Sequence, residues 1–121
     1  MLKRRQSILS HTRLLFEQKR IDPYVLAQLY QDYNPLTDIE KFIRQSQLLF
    51  PKLNCGLASL YLQYVLGEGK IKKGSYKGHP HTFLIFENDL IADITADQFG
   101  GPSIYLDPLK NPWGMHHPLS P

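Results

Sequence analysis

The segment from Leu57 to Leu66, "LASLYLQYVL", is apolar on nearly all sides when wound as a helix. A helix of that kind belongs in the middle of a fold, with other elements packed around it. Gly67 and Gly69 then end the helical pattern, and "KIKKGSYKGHPHTFLIFENDLIADIT" alternates as strands do. The chain is therefore expected to form an α+β domain, with a helical layer that contains the apolar helix packed on a small antiparallel sheet of three or four strands. At 121 residues there is room for one such core and not for two, so residues 1–121 read as a single domain.

Residues 1–50 form the helical layer. Ile8, Leu9, Thr12, Leu15 and Phe16 recur at helical spacing and predict a helix from about Lys3 to Lys19. "DPYVLAQLYQDYNP" opens a second helix with an Asp22 cap and Pro23 at the first helical position, and the helix stops before Asn34-Pro35. In "TDIEKFIRQSQLLFP" Thr37 and Glu40 have capping-box spacing, and the third helix ends near Leu49. The apolar helix occupies residues 54–67 with Asn54 as its cap. Strands are expected at Ile71 to Tyr76, His81 to Phe86 and Leu90 to Thr95, with a short one at Ser103 to Leu106, so the sheet covers residues 71–106. Five of the nine prolines fall from Gly100 onward, and residues 107–121 read as a proline-rich tail wrapped on the surface.

The formal charge of +3 gathers at Lys3, Arg4, Arg5, Arg13, Lys19 and Arg20, and again at Lys70, Lys72, Lys73 and Lys77. Such runs are more often a solvated face than a nucleic-acid site, and no nucleic-acid partner is expected. The first twenty residues lack the apolar segment of a signal peptide, and no run approaches the ~18 apolar residues of a membrane span. A single cysteine cannot form an intramolecular disulfide. The expected setting is a reducing, cytoplasmic one with no membrane partner.

That cysteine, Cys55, is the first residue of the apolar helix, beside unpaired backbone N–H groups at the positive end of the helix dipole. The position favours a thiolate, the form that acts as nucleophile. Two further residues give the thiol a context. His81 opens one strand and Asp93 lies near the end of the next. A two-residue turn at Asn88-Asp89 would put them on opposite faces of the sheet. A three-residue loop, Glu87 to Asp89, pairs Phe86 with Leu90, Phe83 with Asp93 and His81 with Thr95, which makes His81 and Asp93 diagonal neighbours on one face. The second register is expected, because the first buries an aspartate without a partner. Thiol, imidazole and carboxylate then have the order of nucleophile, base and orienter.

The stretches "NCGLAS", "HTFLIF" and "DITADQF" resemble the papain-like and transglutaminase-like superfamily of cysteine peptidases over Asn54 to Phe99, about a third of the chain. The resemblance implies a compact bacterial member in which Cys55 is the nucleophile, His81 the general base and acid, and Asp93 the orienting group. It also implies a cysteine amidohydrolase or acyltransferase of the protease or deamidase type, acting on a peptide or carboxamide bond through a thioester, with a protein or peptide substrate and no cofactor. Compact members include toxin or effector modules, for which delivery by a specialised secretion route is the alternative to a cytoplasmic role. The chain is smaller than the larger members, has little sheet beyond the hairpin and has no tryptophan before the cysteine, so a minimal cleft is expected. The backbone N–H of Cys55 would serve an oxyanion, with Gln98 or, upstream, Gln47 as second donor.

Two other readings use the same residues. His79, His81, His116, His117 and Cys55 are good zinc ligands by type, but their spacing matches no familiar finger and no metal site is expected. Alternatively, the chain is a non-enzymatic helical adaptor that binds a macromolecular partner through its basic surface, with Cys55 only packed.

Overall fold

A computed structural model describes residues 2–117. The chain is α+β, with four helices followed by a five-stranded, fully antiparallel sheet. The helices are α1 (Leu2–Glu17), α2 (Pro23–Tyr33), α3 (Ile39–Leu49) and α4 (Cys55–Leu66). The strands are β1 (Lys70–Tyr76), β2 (His79–Ile85), β3 (Leu90–Asp93), β4 (Tyr105–Pro108) and β5 (Trp113–Gly114), in the spatial order β4-β3-β2-β1-β5. No helix among the described residues is long and apolar enough to cross a membrane.

Helix boundaries follow local chemistry. Asp22 caps α2 by accepting from the Tyr24 N–H at 2.9 Å, and Pro23 opens the helix where its missing N–H costs nothing. For α3 the capping residue is Asp38, not Thr37, because its carboxylate reaches the Lys41 N–H at 3.0 Å. Asn54 precedes α4 but does not cap it with its side chain. Its buried amide instead donates to the carbonyls of Ser46 (2.8 Å) and Lys52 (2.7 Å), tying the incoming loop to α3. Gly67, with φ of 71°, closes α4 in the left-handed region.

The hairpin has the odd register. Leu84 pairs with Ala92 and Ile85 with Ile91, the Phe86 N–H bonds the Leu90 carbonyl at 2.8 Å, and a 3-10 turn at Glu87–Asp89 joins the strands. Alternation then divides the sheet residues between two faces. Leu84, Ala92 and Ile94 pack with Leu57, Leu62, Leu9, Leu26 and Ile43 of the helices. Phe83 and Ile91 join Tyr76, Ala96 and Trp113 in a second, smaller core on the other face.

That second core depends on the tail, and the sequence expectation of a surface wrap for residues 107–121 is corrected here. β5 pairs with β1, Tyr76 opposite Trp113 and Ser75 opposite Gly114, and Trp113 is only 5% exposed. A side chain at Gly74 would collide with the Gly114 carbonyl and approach the Phe83 ring at 2.8 Å, so the bare backbone there is what lets β5 dock. Several bounds also shift: β2 starts at His79, β3 ends at Asp93, and β4 lies two residues later than expected. The last four residues of the tail, 118–121, lie outside the described residues.

Candidate active site

The site forms where β3 ends early. Backbone groups of alternate residues point to the same edge of an antiparallel strand, so Thr82, like Leu84 and Phe86, directs its N–H and C=O towards β3. β3 pairs with β2 no further than Ala92, and α4 lies beside Thr82. Ser59 Oγ lies 3.4 Å from the Thr82 carbonyl and donates to the Cys55 carbonyl at 2.7 Å. The Cys55 sulfur lies near the Thr82 backbone N–H and the His81 ring, both of which pull the thiol below its ordinary value. Because Asn54 provides no side-chain cap, the N–H groups of the first turn of α4 keep no side-chain acceptor.

His81 and Asp93 occupy the sheet face turned away from the helices, as the register requires. His81 Nε2 and Asp93 Oδ2 are 2.6 Å apart, and both side chains are almost completely buried. Asp93 is held from several directions. Its Oδ1 accepts from the Thr95 N–H (2.9 Å) and lies 3.3 Å from the Thr95 hydroxyl, while Oδ2 also accepts from the Trp113 indole N–H at 2.8 Å. The other ring nitrogen, Nδ1, is buried and has no partner at an aligned hydrogen bond. The nearby sulfur interacts with the ring strongly enough to shift both groups, but in a looser geometry than a formed bond.

Those shifts are opposite. Burial pushes the Cys55 thiol up, but the His81 ring, the Thr82 N–H and the charge on His81 outweigh it, and the thiol lies below its ordinary value. Burial pushes His81 down, yet the contact with Asp93, followed by that with Cys55, raises it to about 9. Together the two shifts favour a thiolate facing an imidazolium. Cys55 is of intermediate exposure and so the least buried of the three residues.

The structure thus brings Cys55, His81 and Asp93 into one chain of contacts. Gln98 sits in the turn after β3, where its amide nitrogen donates to the Thr95 carbonyl at 3.2 Å. Gln47 lines grooves formed by α1, α2 and α3, beside Leu26, Phe50 and Asn54. Of the other histidines, His79 stacks on Phe99 at 4.9 Å, His117 Nδ1 lies 3.3 Å from the Gly74 carbonyl, and His116 is exposed.

Two site residues went unrecognised in the sequence. Trp113 had one usable signal, since a lone tryptophan between turn residues in a polar tail tends to be buried with its N–H on a partner. Thr82 had none beyond adjacency to His81, because its role comes from the early end of β3. No protein-family model matches the chain, and no curated protein or solved structure matches it either.

Proposed function

We propose that the chain is a compact papain-like or transglutaminase-like cysteine hydrolase or acyltransferase, acting on a peptide or carboxamide bond. The observation that carries this reading is the buried His81–Asp93 pair with the Cys55 sulfur beside the free side of the ring. A structural histidine would gain little from a buried carboxylate on one nitrogen and an unbonded second nitrogen turned to a thiol.

In the proposed reaction the Cys55 thiolate attacks the carbonyl carbon and forms a C–S bond. The imidazolium of His81 gives its Nδ1 proton to the leaving amine as the C–N bond breaks, which leaves a thioester. The neutral ring then takes a proton from water or an acceptor amine as that nucleophile bonds to the carbonyl carbon, and the C–S bond breaks, which restores the thiolate facing the imidazolium. Asp93 fixes the ring through Nε2, so that Nδ1 is the nitrogen that exchanges protons, and Trp113 and Thr95 hold the carboxylate in place.

The test is to assay wild type, Cys55→Ser and Asp93→Asn against a glutamine- and asparagine-rich protein panel, with released ammonia and new amino termini as readouts. Both variants should stay folded, with no turnover for Cys55→Ser and a steep loss for Asp93→Asn, which can hold the wrong ring tautomer. Ammonia alone means deamidation or crosslinking, and new termini mean proteolysis. A wild type that yields neither, while Cys55→Ser still captures a macromolecular partner as tightly, would discard the enzyme in favour of the adaptor.

A further inference from the structure

Besides the imidazole, a second polar side chain is coupled to the thiol. Thr82 and His81 are consecutive residues of β2, so their side chains leave the strand on opposite faces. On the Thr82 face stands Tyr33, the last residue of α2. Three packing contacts put it there. Its neighbour Tyr30 lies against Gly56, where an added Cβ would be 3.3 Å from the Tyr30 ring. The Tyr30 and Tyr33 rings meet edge-on at 5.8 Å. The Lys73 ammonium, from the residue paired with Thr82 across β1 and β2, lies 5.4 Å over the Tyr33 ring. The Thr82 side chain is close enough to act on both the Tyr33 phenol and the Cys55 thiol, and the charge on Cys55 acts on the phenol in turn.

We propose that the Tyr33 hydroxyl is a catalytic oxyanion donor, acting with the Cys55 backbone N–H. This rests on the cysteine-hydrolase reading above. The argument is one of sides. His81 must protonate the leaving group, so the leaving group lies on the imidazole side of the sulfur, and the carbonyl oxygen has to turn elsewhere. As the C–S bond forms, the carbonyl π pair moves onto that oxygen, and the donors needed there must be fixed beforehand. The first turn of α4 offers the Cys55 N–H, free of a side-chain cap, and the Thr82 face offers the Tyr33 O–H. Tyr33 keeps its proton throughout and only donates a hydrogen bond. Chiefly burial, then the neighbouring Tyr30 and Cys55 charges, raise its proton affinity above the ordinary phenol value, so the donor form persists beside a thiolate.

Two reactions of the same thiol separate this role from packing. Alkylation by iodoacetamide passes through no oxyanion, whereas acylation by p-nitrophenyl acetate does. Tyr33→Phe should slow the acylation burst on the order of 100-fold, leaving the alkylation rate at pH 6 unchanged. If Tyr33→Phe is acylated as fast as wild type, or if a folded variant loses both reactions equally, the assignment is overturned. Should Tyr33→Phe not fold, Thr82→Val serves, since it keeps the phenol but removes the hydroxyl that acts on it. A fall in acylation relative to alkylation supports the role, and an unchanged ratio overturns it. A wild type that is alkylated but not acylated would end the hydrolase reading itself, a result distinct from a Tyr33→Phe that matches an acylating wild type.

Discussion

At the residue scale, two atoms dominate the behaviour of Cys55 and His81: the single carboxylate oxygen that His81 shares with Trp113, and the sulfur on the far side of the ring. A thiol held below its ordinary value should be alkylated by iodoacetamide at pH 6 much faster than free cysteine, and His81→Ala should remove most of that advantage. Equal rates in the two proteins would leave Cys55 as a packing residue. The imidazole makes a separate, signed prediction for stability. A folded-state value raised to about 9 means that His81 contributes stability fully present below its unfolded value near 6.5 and lost as pH rises through about 9. In Cys55→Ser, where the thiol no longer titrates and its share of the rise is lost, urea midpoints should still fall as pH rises above about 6.5, with the fall complete at a lower pH than in wild type, because Asp93 still holds the ring. In Cys55→Ser/Asp93→Asn the fall should largely disappear. Cys55, His81 and Asp93 were legible in the sequence because a helix start and a hairpin register are both local rules. The Thr82 contact was not, since it arises only where one strand stops short of its neighbour.

At the element scale, the hairpin and the last strand teach opposite lessons. The register of β2 on β3 followed from one physical argument, that an aspartate is not buried without a partner, and the pairing of Leu84 with Ala92 agrees with it. β5 was missed because two residues between prolines carry no periodicity, and its pairing depends on a glycine far away in the sequence. Gly74 is the element's weak point. Gly74→Ala puts a methyl group into the Gly114 carbonyl and the Phe83 ring, which should cost about 1–3 kcal/mol and unseat β5. The Lys77 N–H, which bonds the Pro112 carbonyl at 2.9 Å, should then exchange with deuterium faster, while amides of α4 keep their protection. Unchanged Lys77 exchange would show that the strand tolerates the methyl.

Over the whole molecule, the helical layer and the segment carrying Asp93 are joined by one guanidinium. Arg13, 8% exposed on α1, bonds both oxygens of Asp97 at 2.8 Å, the Ile94 carbonyl at 2.8 Å and Glu17 at 2.8 Å, and its guanidinium lies over the Phe50 ring. The amphipathic pattern placed Arg13 among solvated charges, and no local rule reveals that a turn some eighty residues later would bury it. Arg13→Met should cost about 3 kcal/mol in urea unfolding with an unchanged slope, and should reduce thiol reactivity by loosening the turn behind Asp93. Wild-type reactivity in that variant would show that the sheet alone positions the carboxylate. One consequence of the buried tail is optical. Trp113 is the chain's sole tryptophan, and its indole N–H rests on the same carboxylate oxygen as the imidazole. Its emission is therefore a built-in gauge of the proton on His81, and fluorescence followed through pH 9 would report the charge state of the buried pair without label, substrate or inhibitor.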